Sequence, residues 1–251
     1  MKYFIPIRTK ENGNALWIVL LAIVLLGFLT VTIGRSTDST EQSGNYEQNS
    51  VAVSNILKFA TTVESTIERM RLQGISENEI SFEGPPALTG YANPNCTTDE
   101  CKVFKTYGGG IAYASPQTAW LDSRQSAQSE YGNWLFIGEE VKIDGVGTTS
   151  SSTRSHDVVM VLPFIKPEIC RLINIQINGR DGVGEESGAF GNSLRKYKGA
   201  FLTTSAQVWD NTPTIPKTVG DGLKTGCFCD SSDSNCPETA PHYFYHVLIE
   251  R

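Results

Sequence analysis

The feature that most constrains this chain is an uncharged, mostly apolar run over residues 15–33. It contains Ile18, Val19, Leu20, Leu21, Ile23, Val24, Leu25, Leu26, Phe28 and Leu29. At about 1.5 Å rise per residue the run reaches roughly 28 Å as a helix, close to the hydrocarbon thickness of a bilayer. A helix satisfies its own backbone in lipid, so the run predicts one transmembrane helix with membrane lipid as its first partner. Ala15, Trp17, Ile18, Leu21, Leu25 and Phe28 are its expected anchoring side chains. Lys2, Arg8 and Lys10 precede it against one acid, Glu11, whereas Arg35 is followed by Asp38, Glu41 and Glu47. That asymmetry places the N-terminus in the cytoplasm and the rest of the chain outside it. A cleaved secretory signal competes with this reading, but the apolar core is long for one, and Thr32-Ile33-Gly34 matches a small-x-small cleavage site poorly.

Charge removes other partners. A formal net charge of -6 is poor material for binding nucleic acid or an anionic membrane surface.

Export changes how the cysteines are read. Cys96, Cys101, Cys170, Cys227, Cys229 and Cys236 become disulfide candidates, with fifteen complete pairings open. Cys96 and Cys101 enclose a polar Thr-Thr-Asp-Glu turn after Pro94, which favours a local bridge. Cys227 and Cys229 alternate in a strand and are expected on opposite faces, so one is left to pair with Cys236 and the other with Cys170. Zinc at Cys227, Cys229, Cys236 and His242 is a rival reading, though the spacing is not that of paired CxxC motifs. Asp230, Asp233 and Asn235 lack the loop spacing and final Glu of an EF-hand, so neither metal nor cofactor is expected.

Behind the apolar run, residues 35–50 read as a polar linker or weak helix. Residues 51–74 then carry Val53, Ile56, Ala60, Val63, Ile67 and Met70 at three- and four-residue intervals, an amphipathic helix ending at Gly74. Residues 75–251 form the head. Strands are expected over residues 134–137, 141–146, 157–162 and 200–209, and over the alternating terminal segment 243–249. Pro167 opens a short helix bearing Ile169, Leu172 and Ile173. Gly108-Gly109-Gly110 lies in neither a Walker nor a dinucleotide motif, so close backbone packing explains it better than phosphate binding. The expected fold class is α+β: an N-terminal transmembrane helix, then an amphipathic helix packed on an antiparallel-sheet head.

This layout resembles that of type IV pilins and pseudopilins: a basic leader at 1–13, Gly13, a long apolar helix at 14–34, and an amphipathic continuation feeding an α+β head. The resemblance implies cleavage after Gly13 by a prepilin peptidase, with Asn14 as the first mature residue. Family members usually carry Glu at the fifth mature position, where this chain has Ile18, which points to a minor subunit. Asp157-Val158-Val159-Met160-Val161-Leu162-Pro163, Glu168-Ile169-Cys170, Ile173-Asn174 and Phe244-Tyr245-His246-Val247-Leu248-Ile249 look like pilin-like proteins of alphaproteobacteria. The implied function is noncatalytic: assembly or initiation of a membrane-rooted filament or secretion pseudopilus with other pilin-like subunits, at the inner membrane or in a surface filament. The alternative is a membrane-anchored periplasmic binding or adhesion protein using Trp120, Trp134, Trp209 and dispersed tyrosines.

An exported enzyme is the third reading. The chain has no GxSxG elbow and no HExxH segment. His156-Asp157, Glu139-Glu140 and Glu185-Glu186 are acid/base candidates only by adjacency.

Overall fold

The computed structural model describes residues 14–84, 88–138, 141–143, 145–147, 156–179, 182–185, 196–201, 207–209, 222–230 and 236–251, and gives no side-chain description at 14–16, 28–43, 142, 184–185 and 207–209. The chain divides into two units, Met1–Gln48 and Asn49–Arg251.

Helix α1 (Asn14–Leu72) begins in the first unit and continues into the second. In the first unit Trp17, Ile18, Leu21 and Leu25 are exposed, while the side chains of Ala15 and Phe28 and all of Gly13 lie outside the described residues. The expected transmembrane helix is corrected here: among the described residues no helix is long and apolar enough to cross a membrane. The apolar side chains that are described cover residues 17–27. At about 1.5 Å per residue that is roughly 16 Å, near half of a bilayer's hydrocarbon core. Membrane lipid as a partner and the single-pass inner-membrane location rested on that helix, and both are corrected with it.

The second unit is an α+β fold built on one sheet. Strands β1 (Leu135–Ile137), β3 (Val158–Pro163), β7 (His242–Ile249) and β6 (Thr225–Cys229) are neighbours in that order, all antiparallel. The two-residue strand β4 (Gly184–Glu185) adds a parallel edge beside β6, and β2 (Val141–Ile143) pairs separately and in parallel with β5 (Gln207–Trp209). The central strands are buried on both faces, which is why β3 and β7 read as nearly unbroken apolar runs.

The pleat sorts their side chains. Phe136, Val158, Met160, Leu162, Phe244 and Leu248 join Val53, Ile56, Ala60, Val63, Ile67 and Met70 of α1 in one core. Leu135, Ile137, Val159, Val161, Tyr243, Tyr245 and Val247 join Val141, Ile143 and Phe164 in a second core on the other face. Each fully buried Ile, Val or Met on the α1 stripe contributes about 1.5–3 kcal/mol, enough for packing to override the modest helix propensity of the β-branched residues. α1 ends where Gly74 takes φ +97, a left-handed conformation that stops the helix at low cost.

Helix α2 (Pro167–Asn178) starts on proline, whose missing N–H costs nothing in the first turn, and ends on Gly179 in the left-handed region. Its buried Ile169, Cys170, Leu172 and Ile173 face the sheet, and Asn174 donates to the carbonyl of Cys227 at 2.9 Å while accepting from its N–H at 2.9 Å.

Three disulfides staple the unit: Cys96–Cys101, Cys170–Cys227 and Cys229–Cys236. Cys227 and Cys229 were expected on opposite faces, but a period of two puts both on one side of β6 and sends Phe228 to the other. Gly108 and Gly109 are close-packing positions: a Cβ on Gly108 would stand 2.2 Å from the Lys102 carbonyl and one on Gly109 2.1 Å from that of Val103. Arg69 donates to the Gly109 carbonyl, tying this loop to α1.

Candidate functional site

Two places in the second unit gather side chains able to do chemistry or bind, and neither depends on adjacency in sequence.

The first is a groove between α1 and the 114–120 segment, with a volume of about 310 Å³. Its floor is aromatic. Trp134 is held by its indole N–H donating to the Ala114 carbonyl at 2.9 Å, and Phe59 packs against it with ring centroids 5.2 Å apart. Trp120, at the end of a single 3-10 turn, completes the floor and is 8% exposed. The rim is polar and exposed: Asn55, Lys58 and Thr62 from α1, Ser115 and Gln117 from the facing segment. The Thr62 hydroxyl donates to the Lys58 carbonyl at 2.6 Å, and the Asn55 and Gln117 amides, the Ser115 hydroxyl and the Lys58 ammonium are the other polar groups of the lining. Helical spacing explains the α1 contribution: residues 55, 58, 59 and 62 share one face three and four apart.

The second is a chain of polar groups running from β6 through β7 to α1. Thr225 Oγ1 lies 2.6 Å from His246 Nδ1, and His246 Nε2 lies 3.0 Å from Glu64 Oε2. Lys224 stands 3.9 Å from Glu64 Oε1 and also pairs with Glu250. The Glu64 carboxyl is held below its usual range, first by the hydrogen bond from His246 against the opposing effect of burial, then by the charges of His246 and Lys224. Hydroxyl, imidazole and carboxylate stand here in the order of a nucleophile, a base and its orienting acid. His246 is 4% exposed, and the arrangement binds helix to sheet across the core. Sequence reasoning missed it because 182 residues separate Glu64 from His246.

The other acid/base candidates are accounted for differently. Asp157 accepts from the backbone N–H groups of Ile143 at 2.8 Å and Arg251 at 3.1 Å, a clamp between β2 and the chain's last residue. Glu139, Glu140 and Glu186 lie outside the described residues, as does the side chain of Glu185; the same holds for Asp233, Asn235 and the Trp209 side chain. The zinc tetrad is split, with Cys227 bonded to Cys170 and Cys229 to Cys236, and among the described residues no cluster of His, Cys, Asp and Glu could hold a metal ion.

No protein-family model matches the chain, and neither a curated protein nor a solved structure is significantly similar to it. The kinship to type IV pilins and pseudopilins is thereby corrected. Neither a relative nor, among the described residues, a membrane-crossing helix supports it. With it fall the filament-subunit function, the membrane-anchored adhesion alternative, and the prepilin peptidase and pilin-like partners. What the fold and the groove define is a disulfide-stapled α+β domain with an aromatic-floored cleft.

Proposed function

We propose that the second unit is a binding domain whose groove takes a short neutral saccharide. The observation that carries this reading is the groove's composition: a half-buried Phe59 backed by the buried Trp120 and Trp134, under a rim of amide and hydroxyl groups with the Lys58 ammonium. A sugar presents the matching pattern, a C–H face for the aromatic rings and a hydroxyl edge for side chains that both donate and accept. The volume lies at the lower end of the range typical of small-molecule sites, which suits one or two sugar rings. Lys58 is the rim's charged group, and the chain's net charge of -6 disfavours polyanions, so a neutral ligand fits better than a charged glycan. Among the described residues the groove's lining offers no pair of carboxyls or imidazoles, which favours recognition as its role.

The test is a titration of the full chain with neutral oligosaccharides, followed by tryptophan fluorescence and by amide shifts in 15N spectra. Saturable changes centred on Asn55, Phe59, Gln117 and Trp120, abolished in Phe59→Ala and Gln117→Ala, are expected. Shifts that are absent at millimolar saccharide, or that survive both substitutions, contradict the reading.

A further inference from the structure

The three disulfides sit in different surroundings. Cys170–Cys227 is sealed in the core, both residues fully buried. Cys96–Cys101 closes a turn through Thr98, Asp99 and Glu100 and joins a half-buried Cys96 to a buried Cys101. Cys229–Cys236 likewise joins a fully buried residue to a half-buried one, and here His242 Nε2 lies 3.7 Å from Cys236 Sγ.

The orientation of that imidazole is fixed. His242 Nδ1 lies 2.8 Å from the Ala240 carbonyl, an acceptor only, so Nδ1 carries the proton and Nε2 turns its lone pair toward the sulfur. The turn is held by Ala240 N–H donating to Pro237 O at 2.8 Å and Asp230 N–H to Pro241 O at 2.9 Å. Burial lowers the His242 pKa below the usual imidazole range, with Arg124 acting the same way. The Ala240 carbonyl, Asp122 and Glu168 act against it. A neutral imidazole aimed at the sulfur of a half-buried cysteine, whose bonded partner is fully buried, is the geometry of an attacked cysteine, a base beside it and a leaving cysteine.

We infer that Cys229–Cys236 is a thiol–disulfide exchange site, with His242 as its base, acting on a dithiol of a peptide or protein. The substrate's first thiol gives its proton to His242 Nε2 and its sulfur attacks Cys236 Sγ. A mixed disulfide forms, the Cys236–Cys229 bond breaks, and Cys229 leaves as a thiolate that takes a proton from water. The substrate's second thiol loses its proton to water and attacks the substrate sulfur of the mixed disulfide. Cys236 then leaves as a thiolate beside the imidazolium. The substrate dithiol is oxidised by two electrons to a disulfide, and the Cys229/Cys236 pair is reduced by the same two electrons.

The experiment uses the oxidised full chain and a reduced two-cysteine peptide as probe, with timed alkylation and peptide mass mapping. Cys229 and Cys236 are expected to label first, at least about tenfold faster than Cys96 and Cys101, while Cys170 and Cys227 stay protected. His242→Asn keeps an amide donor for the Ala240 carbonyl but has no base; it is expected to slow opening by roughly tenfold or more and to flatten its pH dependence. Cys96→Ser/Cys101→Ser, which leaves the site intact, is expected to exchange at the wild-type rate. Equal or faster opening of Cys96–Cys101 in the wild-type chain overturns the inference without reference to any variant. So does a folded His242→Asn protein with an unchanged rate and pH profile, because the bridge is then a structural staple.

Discussion

His242 and His246 stand four residues apart on β7, on the same face and almost equally buried, at 3% and 4% exposure, yet their surroundings make them different groups. His242 donates from Nδ1 to a backbone carbonyl and presents a bare Nε2 to sulfur. His246 meets the Glu64 carboxylate with Nε2, which must therefore carry a proton, and offers Nδ1 to the Thr225 hydroxyl. One end of the strand is a neutral base beside a disulfide; the other is part of a hydrogen-bonded tie between helix and sheet. Burial is the same at both. The partner of each ring nitrogen decides its chemistry.

The sharpest way to stress the contrast is through the bridges leaving β6. Cys170–Cys227 closes 57 residues and Cys229–Cys236 closes 7. Loop-closure entropy assigns them roughly 4 and roughly 2 kcal/mol. Replacing Cys170 and Cys227 by alanine is expected to lower the unfolding free energy in denaturant by about 4 kcal/mol, and the corresponding change at Cys229 and Cys236 by about half as much. An equal loss from both pairs would show that the bridge beside His242 is as structural as the one in the core.

Next in size is the His246 end. Glu64→Gln is expected to cost about 1–3 kcal/mol, the range for a charge-assisted hydrogen bond that leaves a partner poorly satisfied. Acid titration adds a sign to that number. The folded-state pKa of Glu64 is depressed from 4.5, so its contribution is fully present above about pH 4.5 and is lost as pH falls through the folded value. Wild-type stability should therefore fall more steeply below that pH than the stability of Glu64→Gln, as read by denaturant melts across the range. Parallel acid limbs would remove Glu64 from the account.

The smallest effect is Thr225→Val, about 1 kcal/mol for one neutral hydrogen bond to His246. Combined with Glu64→Gln in a double-mutant cycle it is expected to be non-additive, since both act on one ring. Strict additivity would separate the hydroxyl from the pair.

Legibility in the sequence followed periodicity. The 3.6-residue stripe from Val53 to Met70 is buried as its spacing required, and Pro167 opens α2. β3 and β7 lie within a residue of their expected bounds because β-branched and aromatic runs leave few alternatives. The membrane helix was read from an apolar run whose described part is too short to cross a bilayer. Short elements were less legible: of the strand expected over 200–209 the described part that is strand is β5 at Gln207–Trp209, and β4 carries no local signal across two residues. The sites were least legible. The groove draws on three separated stretches, and neither tautomer of the β7 histidines is encoded near in sequence, except where Ala240 lies two residues before His242.

Long-range 1H–15N spectra of the histidine rings in the full chain test the contrast most directly. At neutral pH the account expects His242 to show a protonated Nδ1 and a bare Nε2, and His246 to show a protonated Nε2. Its contradiction is a His242 ring in the Nε2–H form, the same as a neutral His246, because a proton on that nitrogen would leave nothing to act on the Cys236 sulfur.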